Sequence, residues 1–312
     1  MFKKALSMAF LFVAMVGLAR EGRATAIPGA KSYHGPGVAA YNNLIYVTYI
    51  RTSDSRLVYQ TTTTGTNWSG EVLIPLGTTP KSKVSAATYN NRMYIFYPKS
   101  SGTSLHYRYL DSSGSWSGEG QIVGASTDDG PGLAVFNNLL YIFWETAGSS
   151  SDRIRFATLN TSNVQSGVSI VPFGLTFRGP GAAVFNNRIY LSYSGTNGGA
   201  ENGHNIYYGY MDINGIWYGD WRPTGDPRTK TGPALAPLGT ELWWMYEAKE
   251  PGNAHCYSKR LNTLGQWTAE VDIWPAGSDT RVNATTYNNK IWLVGGLNFF
   301  NDPNSVQFFL LP

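Results

Sequence analysis

A short phrase built on paired asparagines returns at near-even spacing, and it constrains the fold more than any other feature of the chain. Tyr41-Asn42-Asn43-Leu44-Ile45-Tyr46 recurs at residues 89–94, 136–141, 185–190 and 287–292, with aromatic residues at both ends. A degraded copy, Leu238-Gly239-Thr240-Glu241-Leu242-Trp243, fills the one gap. The six copies are 48, 47, 49, 53 and 49 residues apart. A repeat of about 40–50 residues made of short strands is the signature of a propeller blade. Six copies predict an all-β, six-bladed β-propeller over residues 27–312 with four antiparallel strands per blade.

Within each repeat the innermost strand, a, ends at the Asn-Asn pair. Asparagine tolerates the positive φ that a two-residue hairpin demands. Strand b follows at once, as in Ile45-Tyr46-Val47-Thr48-Tyr49. Strand c carries an apolar-x-aromatic pattern: Leu57-Val58-Tyr59, Leu105-His106-Tyr107, Ile154-Arg155-Phe156. Strand d is read at Ile74-Pro75-Leu76-Gly77 and Trp274-Pro275-Ala276-Gly277, where an edge position tolerates proline. The c–d turns also repeat, as in Asp111-Ser112-Ser113-Gly114-Ser115-Trp116. Their Trp68, Trp116, Trp217 and Trp267 are expected to pack on the hairpins.

The sixth repeat stops at Pro312, just after its strand c at 306–311, and lacks a strand d. Ile27-Pro28-Gly29-Ala30 resembles the missing piece. The N-terminal segment is therefore expected to complete the last blade and close the ring. Residues 1–26 read as a signal peptide. Lys3 and Lys4 precede an apolar stretch too short to span a bilayer, and Ala24-Thr25-Ala26 offers a small-x-small cleavage site. This predicts a secreted or periplasmic protein with no transmembrane segment.

Beyond residue 26 the chain holds 20 basic and 19 acidic residues, so the overall charge of +4 belongs mostly to the leader. Near-neutrality argues against a nucleic-acid partner. The single cysteine, Cys256, excludes an internal disulfide and aligns with aromatic core positions of strand c, so a buried, inert thiol is expected. No spacing points to a metal or a cofactor.

The best repeats, Gly130-Pro131-Gly132-Leu133-Ala134-Val135-Phe136-Asn137 and residues 179–186, resemble those of bacterial six-bladed propellers with Gly-Pro-x-x-Ala-x-Phe-Asn repeats. The likeness extends to propeller lectins of the fucose-binding type and more distantly to sialidase-like propellers. It implies the fold strongly and function weakly, since propellers host lectins, glycosidases and scaffolds.

Variable b–c and d–a loops mark one face as the working face. Where each chain enters strand a stand His34, Lys83, Asp129, Arg178, Thr231 and Arg281, expected around the axis. Cations gathered there would attract an anionic or hydroxylated ligand. Glu145 beside Trp144, and Glu247 beside Tyr246, end equivalent b strands, where a ring and a carboxylate suit a sugar. The first expectation is a carbohydrate-binding, lectin-like protein without catalysis, its partner a glycan or glycoconjugate. The second is a sialidase-like glycoside hydrolase using Glu247, Asp129 and Arg178. The third is a protein-binding scaffold.

Overall fold

The computed structural model describes residues 24–75, 77, 79–148, 153–195, 204–229, 231–250, 253–274, 281–299 and 302–312. They form six antiparallel sheets arranged as the blades of a β-propeller. Blade one runs a (Gly37–Tyr41), b (Leu44–Ile50), c (Leu57–Thr62) and d (Val72–Leu73). Later blades repeat that order, and blade four adds a short strand, Arg228–Thr229, on its strand c. The six inner strands neighbour one another in sequence order, and the last, Asn283–Tyr287, returns to the first.

Asn42 and Asn43 have φ of 45° and 59°, and the other four Asn-Asn pairs repeat this geometry. Both turn residues are thus left-handed, as the tight hairpin requires. The Gly-Pro motif has a different cause. A Cβ on Gly132 would lie 2.5 Å from the Pro180 carbonyl oxygen, and one on Gly181 would lie 2.3 Å from that of Pro233. Only glycine lets neighbouring inner strands approach so closely. They leave an axial cavity of about 50 Å³, to which all six blades contribute.

The core lies between blades. Each apolar cluster joins one blade's outer residues to the next blade's face, as where Tyr46, Ile50 and Leu57 meet Met93, Ile95 and Tyr97. The c–d turn tryptophans pack backward onto the preceding blade: Trp116 on Tyr59, Trp217 on Phe143 and Phe156, and Trp267 on Tyr208, with Trp267 also against Trp244 of its own blade. Trp68 of blade one packs on Phe308 of blade six, so the same contact crosses the closure.

Blade six is completed by Thr25–Lys31, which pairs antiparallel with strand c, Asp302–Leu311. Ile27 and Ala30 are buried in the cluster shared by blades six and one. Three details differ from the sequence reading. Thr25 and Ala26, assigned to the leader, already pair with Phe308 and Gln307. Strand c begins at Asp302, because strand b extends to Phe299 and carries its partner with it. In blade one the paired strand d precedes Ile74-Pro75. Ile74 N–H still donates to the Leu57 carbonyl (2.9 Å), and Pro75 has no N–H with which to continue. Residues 275–277 lie outside the described residues, as do 1–23. Among the described residues no helix is long and apolar enough to cross a membrane.

Candidate functional site

A repeated hydroxyl turn sets the axial entrance. Ser32, Thr127, Thr176 and Thr229 each accept the N–H of the residue two further on and donate to its carbonyl, at 2.9–3.2 Å. The residues so fixed are His34, Asp129, Arg178 and Thr231. A Ser/Thr two residues ahead of the axial position is therefore a sequence signal of the entrance, one the Gly-Pro motif had hidden.

Asp129 is the centre of what gathers there. Its carboxylate takes Arg281 Nη1 at 2.6 Å, Gly130 N–H at 2.8 Å and Gly179 N–H at 3.1 Å. Blades three, four and six thus meet on one buried side chain. Lys83 of blade two is buried beside them, and His34 is half-buried above. Burial raises the Asp129 carboxyl, but Arg281, Lys83 and the two backbone N–H groups outweigh it and hold it below the usual range. Burial lowers Lys83, and burial followed by Arg281 lowers His34. Two of the three expected axial cations therefore converge, and Asp129 already holds them. Arg178 stands apart, exposed on blade four beside His204. Thr231 is buried.

The two strand-end acids lie inside the protein. Glu145 and Glu247 are each 3% exposed, and Trp144 and Tyr246 are buried in the interblade clusters. These rings offer no face to solvent for stacking. Glu145 Oε1 accepts the Asp128 N–H at 3.2 Å, while its buried Oε2 has no hydrogen-bond partner. Burial, and next the charge of Asp129, push its carboxyl up to about 8. Glu247 lies opposite Cys256. That thiol is buried, and burial, reinforced by Glu247, raises its pKa. Among the described residues no three His, Cys, Asp or Glu side chains gather as a metal site.

Glu145 carries a pH signature of definite sign. Its folded-state pKa exceeds the unfolded value, so the folded state keeps the proton longer. Its contribution is present below about pH 4.5 and is lost as pH rises through about 8. His34, lowered on folding, works in the opposite direction near neutrality. The difference between wild type and Glu145→Gln isolates the acid. Melting midpoints measured from pH 5 to 8 should show wild type losing ground steadily to the variant. A constant gap would contradict the raised carboxyl.

A second kind of site lies between blades, and none of its lining residues is among the candidates singled out from the sequence. A cleft of about 290 Å³ separates blades three and four. Arg153 and Phe173 line it from blade three, and Tyr193, Tyr207 and Asp220 from blade four. Phe173 sits over Gly209 and Gly219, where any Cβ would fall within 2.5 Å of its ring, and Trp217 meets it edge-on. The cleft thus has a fixed aromatic floor. Tyr193 Oη donates to Asp220 Oδ1 at 2.6 Å, and Asp220 has φ of 68°, a costly conformation for a non-glycine residue. A related cleft of about 440 Å³ flanks blade one, with Arg56, Pro75 and Gly77 where blade three has Arg153, Pro172 and Gly174. A side chain at Gly77 would strike Glu119 of blade two, whose carboxylate takes Tyr97 Oη at 3.0 Å.

The tyrosine–acid pair recurs in four blades: Tyr49–Glu71, Tyr97–Glu119, Tyr193–Asp220 and Tyr246–Glu270. Its sequence signal is an acid three residues beyond the c–d turn tryptophan, as in Trp68-Ser69-Gly70-Glu71.

No family model matches the sequence, and no curated protein matches it significantly. Solved structures match over nearly the whole chain. The α-L-arabinanase of Penicillium chrysogenum matches with a TM-score of 0.65 at 12% identity, covering 92% of this chain and 94% of that one. The endosialidase of phage phi92 matches at 0.64 and 11%, covering 93% and 69%. The fucose-specific lectin of Aleuria aurantia matches at 0.61 and 13%, covering 91% and 97%. At such identities the likeness is one of fold, and that fold is the propeller.

Proposed function

We propose that this chain is an exported, lectin-like propeller that binds glycans in its interblade clefts without cleaving them. One observation carries the reading: two clefts at equivalent places in blades one and three share an arginine at the entry to strand c and a Pro-x-Gly wall, and each faces a tyrosine-bound carboxylate. Aromatic rings suit the apolar face of a sugar, while arginine and carboxylate suit its hydroxyls. The fold shared with a fucose-specific lectin supports the reading, and the leader at residues 1–26 supports export.

The test is a glycan array followed by titration of any hit. Asp220→Ala should weaken binding by about 1–3 kcal/mol if its charged hydrogen bonds are lost. Leu264→Ser, at an exposed c–d turn on the opposite face, should leave affinity unchanged. Equal affinity of wild type and Asp220→Ala would remove the cleft between blades three and four.

A glycosidase reading rests on a different observation. Asp129 is held ionised while Glu145, beside it, is held protonated, and two acids pushed apart in this way are a general-acid pattern. Product release that disappears in Glu145→Gln would decide for it.

A further inference from the structure

The described rim of the cleft between blades three and four is unevenly charged. Arg153 lines it. The Arg222 guanidinium stands 5.8 Å from the Tyr207 ring. Arg228 is exposed and paired with Asn205, two residues from Tyr207. Arg178 is exposed and acts on His204, whose ring lies tilted against Phe177 with centroids 4.7 Å apart. Thr176, between Arg178 and the wall residue Leu175, bridges to Gly195 of the cleft. Four arginines thus stand around the described rim with two carboxylates, Asp220, which accepts from Tyr193, and Asp226, which pairs with Arg222 at 3.3 Å. The cleft of blade one has no such excess. Around it Arg51, Arg56 and Lys81 stand with four carboxylates, Asp54, Glu71, Glu119 and Asp128.

From this asymmetry, and resting on the carbohydrate reading above, we infer that the cleft between blades three and four takes an acidic saccharide, its carboxylate or sulfate directed to the arginine rim and its ring to the Phe173 floor. Arginine suits this task because its planar fork pairs with two oxygens of such a group. Near-neutrality of the chain beyond the leader makes four arginines around one cleft a local property rather than a reflection of bulk charge.

The experiment is an array of matched saccharide pairs probed with the exported chain. The pairs are galacturonate and galactose, glucuronate and glucose, and mannuronate and mannose oligosaccharides, together with sulfated and unsulfated galactans. At least one acidic member should bind tenfold or more tighter than its neutral partner at low salt. The ratio should shrink as salt rises, because exposed arginines are screened. Preference for uronates identifies a carboxylate ligand, and preference for sulfated galactans a sulfate ligand. The double variant Arg153→Gln, Arg222→Gln should bring the acidic and neutral members to equal affinity. Neutral saccharides bound as tightly as acidic ones, and lost in Asp220→Ala, would overturn this inference while leaving carbohydrate binding intact. An acidic preference that survives the double variant would overturn it as well. Absence of any saccharide binding would overturn both readings.

Discussion

A chain that starts at Ser32 should lose its native stability. Thr25–Lys31 is the outer strand of blade six, and it also reaches blade one, where Gln60 Nε2 donates to the Pro28 carbonyl at 3.0 Å and Thr52 N–H to that of Lys31 at 3.1 Å. Its removal exposes the edge of strand c and uncovers the cluster that holds Val306, Phe308 and Val38. Ile27 alone, 1% exposed, is worth about 1.5–3 kcal/mol of burial. With the lost strand hydrogen bonds, a fall in melting midpoint of about 10 °C or more is expected. Ile27→Asp in the intact chain should destabilise by the same route without truncation. An unchanged midpoint in both would show that the ring closes without this strand.

Asp129→Ala should be comparably damaging, by electrostatics rather than packing. Asp129 is 2% exposed, its carboxylate pairs with Arg281 at 2.6 Å, and it feels the charge of Lys83. Removing it leaves two cations near each other in a poorly hydrated place, for which the cost is about 3–5 kcal/mol. Asp129→Asn should cost less, because its amide oxygen still accepts one of the two backbone N–H groups that Gly130 and Gly179 direct to the two carboxylate oxygens. It also removes the Asp129 charge, which after burial is the second cause of the raised Glu145 carboxyl, and so lowers that carboxyl. Denaturant unfolding of the three proteins reads this ranking. A change under about 1 kcal/mol for Asp129→Ala would mean that the axial ion cluster is not a clamp.

The blades were legible because each carries its own local chemistry. Asn42-Asn43 and its copies specify a hairpin by themselves, and Ile27-Pro28-Gly29 could be matched to the blade that lacked a strand. Cys256 was placed correctly in the core by register alone. The ion cluster was legible only as a list of residues at strand entrances. Nothing in the sequence tells which of Lys83, Arg178 and Arg281 will reach Asp129, since the Arg281 pairing spans 152 residues. The sequence points Glu145 and Glu247 toward a ligand, because carboxylates are seldom buried. Here Glu247 lies within a strand b that runs on to Glu250, and Glu145, just past the end of its strand b, is buried where it accepts the Asp128 N–H. The clefts went unread for a geometric reason. Arg153 and Phe173 come from the outer half of one blade, and Tyr207 and Asp220 from the outer half of the next, so no contiguous motif contains the site. The Trp-x-x-acid spacing was present in four repeats, but it acquires meaning only once the tyrosine it binds is seen opposite.

Titration of an array-selected glycan against wild type, Asp220→Ala and Asp129→Asn separates cleft from axis most directly. Binding lost in Asp220→Ala and retained in folded Asp129→Asn, with no product released by any of the three, is the expected result. Binding that survives Asp220→Ala and disappears in Asp129→Asn would move the ligand to the axis and contradict the interblade site.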